Sequence, residues 1–255
     1  MGLEHRLLRG AVKAGLALIY PPQCLSCDAA VAGGEGAVHL CPACWPDAAF
    51  IGASCCDSCG TTLPGGDAGE NGGDLFCDDC LSVTRPWAQG RAALVYAGTG
   101  RRMVLALKHG DRPDLAPALG RWLARAAAPL IRPGTVVVPV PLHLRRLMRR
   151  KYNQAALLAA QVARAHALPH HPRLLHRHRH TEGQDHRSIS DRFANIAGAL
   201  SVDPAQTAAL RGRPVLLIDD VMTSGATLSE AAWRLSEAGL GPIRVAVLAR
   251  AVKDA

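Results

Sequence analysis

A chain of 255 residues and 26.9 kDa, with 49% hydrophobic residues and a mean hydropathy of +0.07, has apolar material for one full α/β domain plus a smaller unit. It contains no apolar run long enough to span a bilayer, so no membrane span is expected and the cytoplasm is the expected location. The net charge of +8 is concentrated between His143 and Arg192, where 11 Lys and Arg stand against 3 Asp and Glu, together with eight of the eleven His. A solvated basic surface is the plain reading of such a window; a field this concentrated also attracts polyphosphates or nucleic acid.

In residues 1–20 apolar side chains recur at helical spacing (Leu7, Leu8, Val12, Leu16, Ile19), which predicts an amphipathic lead-in helix rather than a targeting sequence. Residues 21–85 hold all nine cysteines, eight of them in Cys-x-x-Cys pairs: Cys24/Cys27, Cys41/Cys44, Cys56/Cys59 and Cys77/Cys80. Two residues between thiolates let one turn aim both sulfurs at one ion, and two such turns complete a tetrahedral site. The intervals suit one structural Zn2+ per consecutive pair of turns, two in all. A cross-braced pairing, an iron–sulfur cluster and a disulfide framework are the alternatives, the last disfavoured by the odd count. Cys55 is left over.

A Pro86-containing linker near residues 81–89 is expected to lead into a second domain at 90–252. There the pattern predicts a strand at 92–97, a helix at 99–110, a second from Pro113 to about 130 and a strand at 135–139 ending in Pro139-Val140-Pro141. A helix at 152–166, an irregular His/Arg-rich stretch at 168–187 and a last strand at 243–250 follow. The alternation argues for a parallel sheet with helices on both faces.

The most informative segment is Val215-Leu-Leu-Ile-Asp-Asp-Val-Met-Thr-Ser-Gly-Ala-Thr227. Its apolar start reads as a buried parallel strand, Asp219 and Asp220 sit towards the carboxyl end where open α/β sheets place ligands, and a helical pattern begins at Leu228. Between them, Thr223, Ser224, Gly225, Ala226 and Thr227 offer backbone N–H groups, hydroxyls and a helix N-terminus to an anion. Two acids beside a phosphate loop suit a ligand with a phosphate at one end and vicinal hydroxyls nearby, as in a ribose 5-phosphate. Three further candidates are the turn Pro139, Val140, Pro141 and Leu142 with the following Arg145, Arg146 and Arg149; Lys108, at a helix end; and the polar segment from His180 through Gln184 and Arg192 to Asn195, a candidate lid.

The 215–227 segment resembles the signature of type I phosphoribosyltransferases. With the Cys pairs ahead of it, Lys108, Val-Pro-Val-Pro-Leu142 leading to Asn153-Gln154, and Thr181, Gln184, Arg192 and Asn195, the chain is similar to the ComF (ComFC/GntX-like) family of competence-associated proteins. The resemblance implies a double zinc ribbon before a type I phosphoribosyltransferase-like domain. It implies that Asp219 and Asp220 hold the ribose hydroxyls of phosphoribosyl pyrophosphate (PRPP), with Mg2+, and that 223–227 holds its 5-phosphate. It further implies a part in natural transformation, with single-stranded DNA and DNA-uptake proteins as partners and an unspecified acceptor. A non-catalytic DNA-binding or PRPP-sensing module is the alternative. Three departures stand out: Lys151 where glycine is common, Arg187 where an apolar residue is usual, and the extra Cys55.

Overall fold

The computed structural model describes residues 22–31, 40–64, 74–181 and 188–252. The expected lead-in helix, Gln184 and Arg187 lie outside these residues.

Four strands form the central parallel sheet: β1 (Gln89–Val95), β2 (Val136–Pro139), β5 (Val215–Met222) and β6 (Ile243–Arg250), in the order β1-β6-β5-β2. Val215 to Ile218 are 0–1% exposed. A strand covered on both faces has no polar side to alternate with, which is why the segment reads as a continuous apolar run. Pairing with β6 carries β5 through both aspartates to Met222, opposite Arg250, further than the apolar residues alone suggest.

Helices α2 (Gly98–His109), α3 (Ala116–Ala127) and α5 (Gln154–Ala165) pack Leu107, Leu119, Leu123 and Leu158 on one face of the sheet. Helix α8 (Ala226–Glu237) packs Leu228 and Leu235 on the other, beside Cys56, Cys59 and Trp87. The expected parallel sheet with helices on both faces is therefore the observed one.

Several expectations need correction. Strand β1 starts earlier than 92 because Gln89 and Gly90 pair with Arg244 and Val245. The prolines do not stop β2 at once: Val140 still donates its N–H to Ile218 O at 2.9 Å. The basic run after Leu142 is a helix, α4 (Leu144–Arg150), capped by His143, whose Nδ1 accepts from Arg145 N. The stretch 168–187 is not wholly irregular, because β3 (Leu175–Arg177) pairs antiparallel with β4 (Leu200–Val202). A three-residue strand gives too short a pattern to see in sequence. Part of the polar candidate lid is helix α6 (Ile189–Ile196), opened by a Ser188/Asp191 capping box. A further short helix, α7 (Pro204–Leu210), precedes β5.

The Cys-rich region is docked along β1. Phe50 bridges antiparallel to Leu94, with Ile51 N donating to Ala93 O and Val95 N to Ala49 O, so the ribbon covers an otherwise open sheet edge. Phe50 packs between Trp45, tilted at 40°, and Trp122 of α3, edge-to-face, with ring centroids 5.0 and 4.9 Å apart. Asp47 supplies the cap that α2 lacks at Ala97, accepting from Thr99 N at 2.8 Å and Thr99 Oγ1 at 2.7 Å. These bonds hold its carboxyl below the usual carboxylate range. The segment after the short helix α1 (Asp78–Ser82) is likewise packed, with Trp87 only 7% exposed.

Candidate functional site

The thiols assemble into two groups, Cys24, Cys27, Cys41 and Cys44, and Cys56, Cys59, Cys77 and Cys80, with all four sulfurs of each group within 4.8 Å of one another. Pairing is consecutive, not cross-braced. The Sγ atoms of Cys27 and Cys41, and of Cys59 and Cys77, lie 3.7 Å apart. A tetrahedron with metal–sulfur bonds of about 2.3 Å has an edge of about 3.8 Å, so the spacing fits zinc. The hydrogen bond between Cys56 and Cys59 lowers the Cys56 thiol and raises that of Cys59. Cys55 lies outside both groups; it is buried, and burial raises its thiol. The Zn2+ ions are structural: neither cluster opens into the cleft described next.

That cleft, of about 970 Å3, lies at the carboxyl ends of β2 and β5. Asp219, Asp220, Thr223 and Thr227 line it together, as do Val140, Pro141 and Leu142. Pro139 does not; it is buried as the last residue of β2. Gly225 and Ala226 are buried and shape the turn, Gly225 at φ 83° as the residue before α8. Ser224 Oγ accepts from Ala226 N at 3.4 Å.

Asp219 Oδ1 accepts from the N–H of Asp220 at 2.8 Å, and Lys108 Nζ reaches Asp220 Oδ1 at 2.9 Å. Lys108, in the last turn of α2, thus balances one of the two acids. Burial and the neighbouring Asp220 push the Asp219 carboxyl up to about 7.

Cations outnumber these acids. Arg145, Arg146, Arg149 and Arg192 line the cleft, and so do Arg101, Arg150 and Arg177. Burial pushes Arg177 down to about 10, and it lowers Arg146 and Arg150 as well. The Nε atoms of Arg150, Arg177 and Arg192 are buried with no hydrogen-bond partner among the described residues. Arg146, Arg150, Arg177 and Arg192 are half-buried, Arg101, Arg145 and Arg149 exposed, and such a cluster of cations with idle donors has the chemistry to attract a polyanion.

Asn153 and Gln154 join the turn to this cluster. Asn153 Nδ2 donates to Val140 O at 3.0 Å while its Oδ1 caps α5 at Ala155 N. Gln154 is 1% exposed, accepts from Arg150 Nη1 at 3.4 Å, and leaves its Nε2 without a partner among the described residues. The stem of the candidate lid is tied into the same place: Arg146 donates to Thr181 O at 2.7 Å and Arg177 to Thr181 Oγ1. Lys151, the departure at a glycine position, has φ 66° as the residue ending α4 and pairs with Asp111. A positive φ is the conformation that glycine adopts most readily.

Arg101 and Arg177 escaped sequence reasoning as cleft residues. Neither lies in a recognisable motif: Arg101 sits in the first turn of α2 and Arg177 on a three-residue strand, and only folding brings them to the cleft.

A parallel sheet with two acids and a hydroxyl-bearing turn at its carboxyl edge, in a cationic cleft, defines a phosphoribosyltransferase-type domain. Residues 157–254 match the phosphoribosyl transferase domain family and residues 15–89 the double zinc ribbon domain family. The chain is 30% identical to the DNA utilization protein YhgH of Escherichia coli O157:H7, covering 91% of this chain and 99% of that one. It is 39% identical to competence protein F of Haemophilus influenzae over 115 residues, 45% of this chain and half of that protein. Among solved structures, glutamine PRPP amidotransferase from B. subtilis is similar over 56% of this chain and 30% of that one, with 20% identity and a TM-score of 0.38. The chain belongs to the ComF family.

Proposed function

We propose that this protein binds PRPP with Mg2+ in the cleft and transfers its ribosyl 5-phosphate to an acceptor, in the handling of incoming DNA that the names of its relatives describe. The observation that carries this reading is the meeting of Asp219, Asp220, Thr223 and Thr227 in one arginine-lined cleft. Asp219 and Asp220 accept the ribose hydroxyls. The backbone of 223–227, with the hydroxyls of Thr223, Ser224 and Thr227, holds the 5-phosphate. The turn Val140–Leu142 with Arg145, Arg146 and Arg149 holds the pyrophosphate, joined by Arg150, Arg177 and Gln154. Mg2+ bound to the donor would offset pyrophosphate charge.

As the bond from the ribose anomeric carbon to pyrophosphate oxygen breaks, the electron pair leaves with pyrophosphate and the acceptor's lone pair forms the new bond. The arginines of the cleft stabilise the departing charge from positions their own helices and strand fix. The cations favour a small polyanion over a strand lying along the surface. Arg146, Arg150 and Arg177 line the cleft, and Arg179 donates to Asn195 O at 3.1 Å and to Ala197 O at 2.5 Å instead of tracking phosphates.

Thermal stabilisation by PRPP–Mg2+, lost in Asp219→Asn/Asp220→Asn, tests the pocket. Absence of any shift in the wild-type chain at millimolar PRPP would overturn the proposal. Release of pyrophosphate with a panel of acceptors then tests the transfer.

A further inference from the structure

The phosphate turn is held from behind by two arginines that do not line the cleft. Arg250, 5% exposed at the end of β6, uses Nη1 to donate to Met222 O at 3.1 Å and Thr223 O at 2.8 Å. Arg85 donates from Nη1 to Ser224 O at 2.6 Å. Three successive carbonyls thus accept from guanidinium groups that lie outside the cleft lining. In a planar trans peptide the N–H of the next residue points opposite to the carbonyl. Fixing the carbonyls of Met222, Thr223 and Ser224 therefore turns the N–H groups of Thr223, Ser224 and Gly225 the other way, as an anion-binding nest requires.

Arg85 reaches this position because residue 225 has no side chain: a Cβ there would meet Arg85 Nη1 at 2.8 Å. The arginine belongs to the Cys-rich half of the molecule, five residues past the last ligand, Cys80. Its guanidinium lies 5.5 Å from the centre of the Trp87 ring, and Trp87 Nε1 donates to Ser58 O at 2.6 Å, between ligands Cys56 and Cys59.

We infer that Arg85 is a positioning residue through which the second metal ribbon shapes the phosphate turn. The zinc module is then part of the phosphate site's architecture and not only a cover for the sheet edge. This inference rests on the ligand reading given under Proposed function.

The test uses the full zinc-loaded chain and ribose 5-phosphate, titrated calorimetrically and by amide proton and nitrogen NMR. The wild-type chain should bind and move the Gly225 amide proton downfield. Arg85→Ala should bind roughly tenfold more weakly, the scale of one lost charge-assisted hydrogen bond, and lose the Gly225 shift while keeping two zinc ions. Arg85→Lys, which can still donate to Ser224 O, should recover part of both and serves if the alanine variant folds poorly. Arg91→Ala breaks another contact between ribbon and domain, the ion pair with Asp57, and should leave both readouts as in wild type. Arg85→Ala binding within twofold of wild type, with the Gly225 shift retained, overturns the inference alone. No binding by the wild-type chain overturns the ligand reading together with it.

Discussion

Lys108 Nζ stands 2.9 Å from Asp220 Oδ1, with side-chain exposures of 19% and 11%. Through this pair α2 sets a positive charge against two adjacent acids at the end of β5. Its charge also works against the rise in the Asp219 carboxyl. Lys108→Met should therefore destabilise the fold by about 2 kcal/mol at pH 8, below the range for fully buried pairs because both partners keep some exposure. It should move Asp219 further above 7. Urea denaturation and carboxyl carbon NMR titration check the two effects; unchanged stability with an unmoved Asp219 would show that the pair carries no weight.

Asp219 itself gives a pH-dependent prediction. Its folded pKa of about 7 exceeds the ordinary 3.8, so between those values the folded protein holds a proton that the unfolded chain gives up. The contribution to stability is present at low pH and lost as pH rises through about 7. Asp219→Asn should accordingly be more stable than wild type at pH 8, by on the order of 1–2 kcal/mol after allowance for partial exposure, with the gain shrinking towards pH 5. The same variant should lose PRPP binding. Denaturant midpoints at the two pH values, set beside PRPP thermal shifts, separate the two roles.

Gln154 holds a buried amide nitrogen with no partner among the described residues, a cost of about 1–3 kcal/mol for a group left unsatisfied. If that nitrogen serves a ligand, Gln154→Met should keep or raise the melting temperature and weaken PRPP binding by roughly tenfold. A lower melting temperature with unaltered affinity would assign the residue to packing.

The two metal clusters differ in depth. Cys56 and Cys59 lie within the core that Leu217, Met222 and Leu228 share, whereas Cys24, Cys41 and Cys44 form a separate cluster with Cys27 exposed at its edge. Removal of zinc, with about 10 kcal/mol of binding free energy per structural site, should unfold the main domain when the second cluster is emptied. Cys56→Ser should give insoluble or molten protein, and Cys27→Ser a folded chain with one zinc ion. Metal analysis and tryptophan fluorescence decide this.

How far the chain could be read before folding depended on sequence distance. The Cys-x-x-Cys turns, the apolar run at 215–218 and the loop after Asp220 are local patterns, because one turn or one strand end must present its own groups to a metal or an anion. Helices α2, α3 and α5 were legible from periodicity. Strands β3 and β4 were not, since three residues cannot display a period.

Residue types at local spacing thus determined two metal-binding ribbons, a parallel α/β sheet and a phosphate-type turn. Tertiary structure alone decided the consecutive metal pairing, the salt bridge from Lys108 to Asp220, the entry of Arg101 and Arg177 into the cleft, and the grip of Arg85 on Ser224, 139 residues away. Each of these joins groups on different elements, and only the packing of those elements brings them within hydrogen-bonding reach.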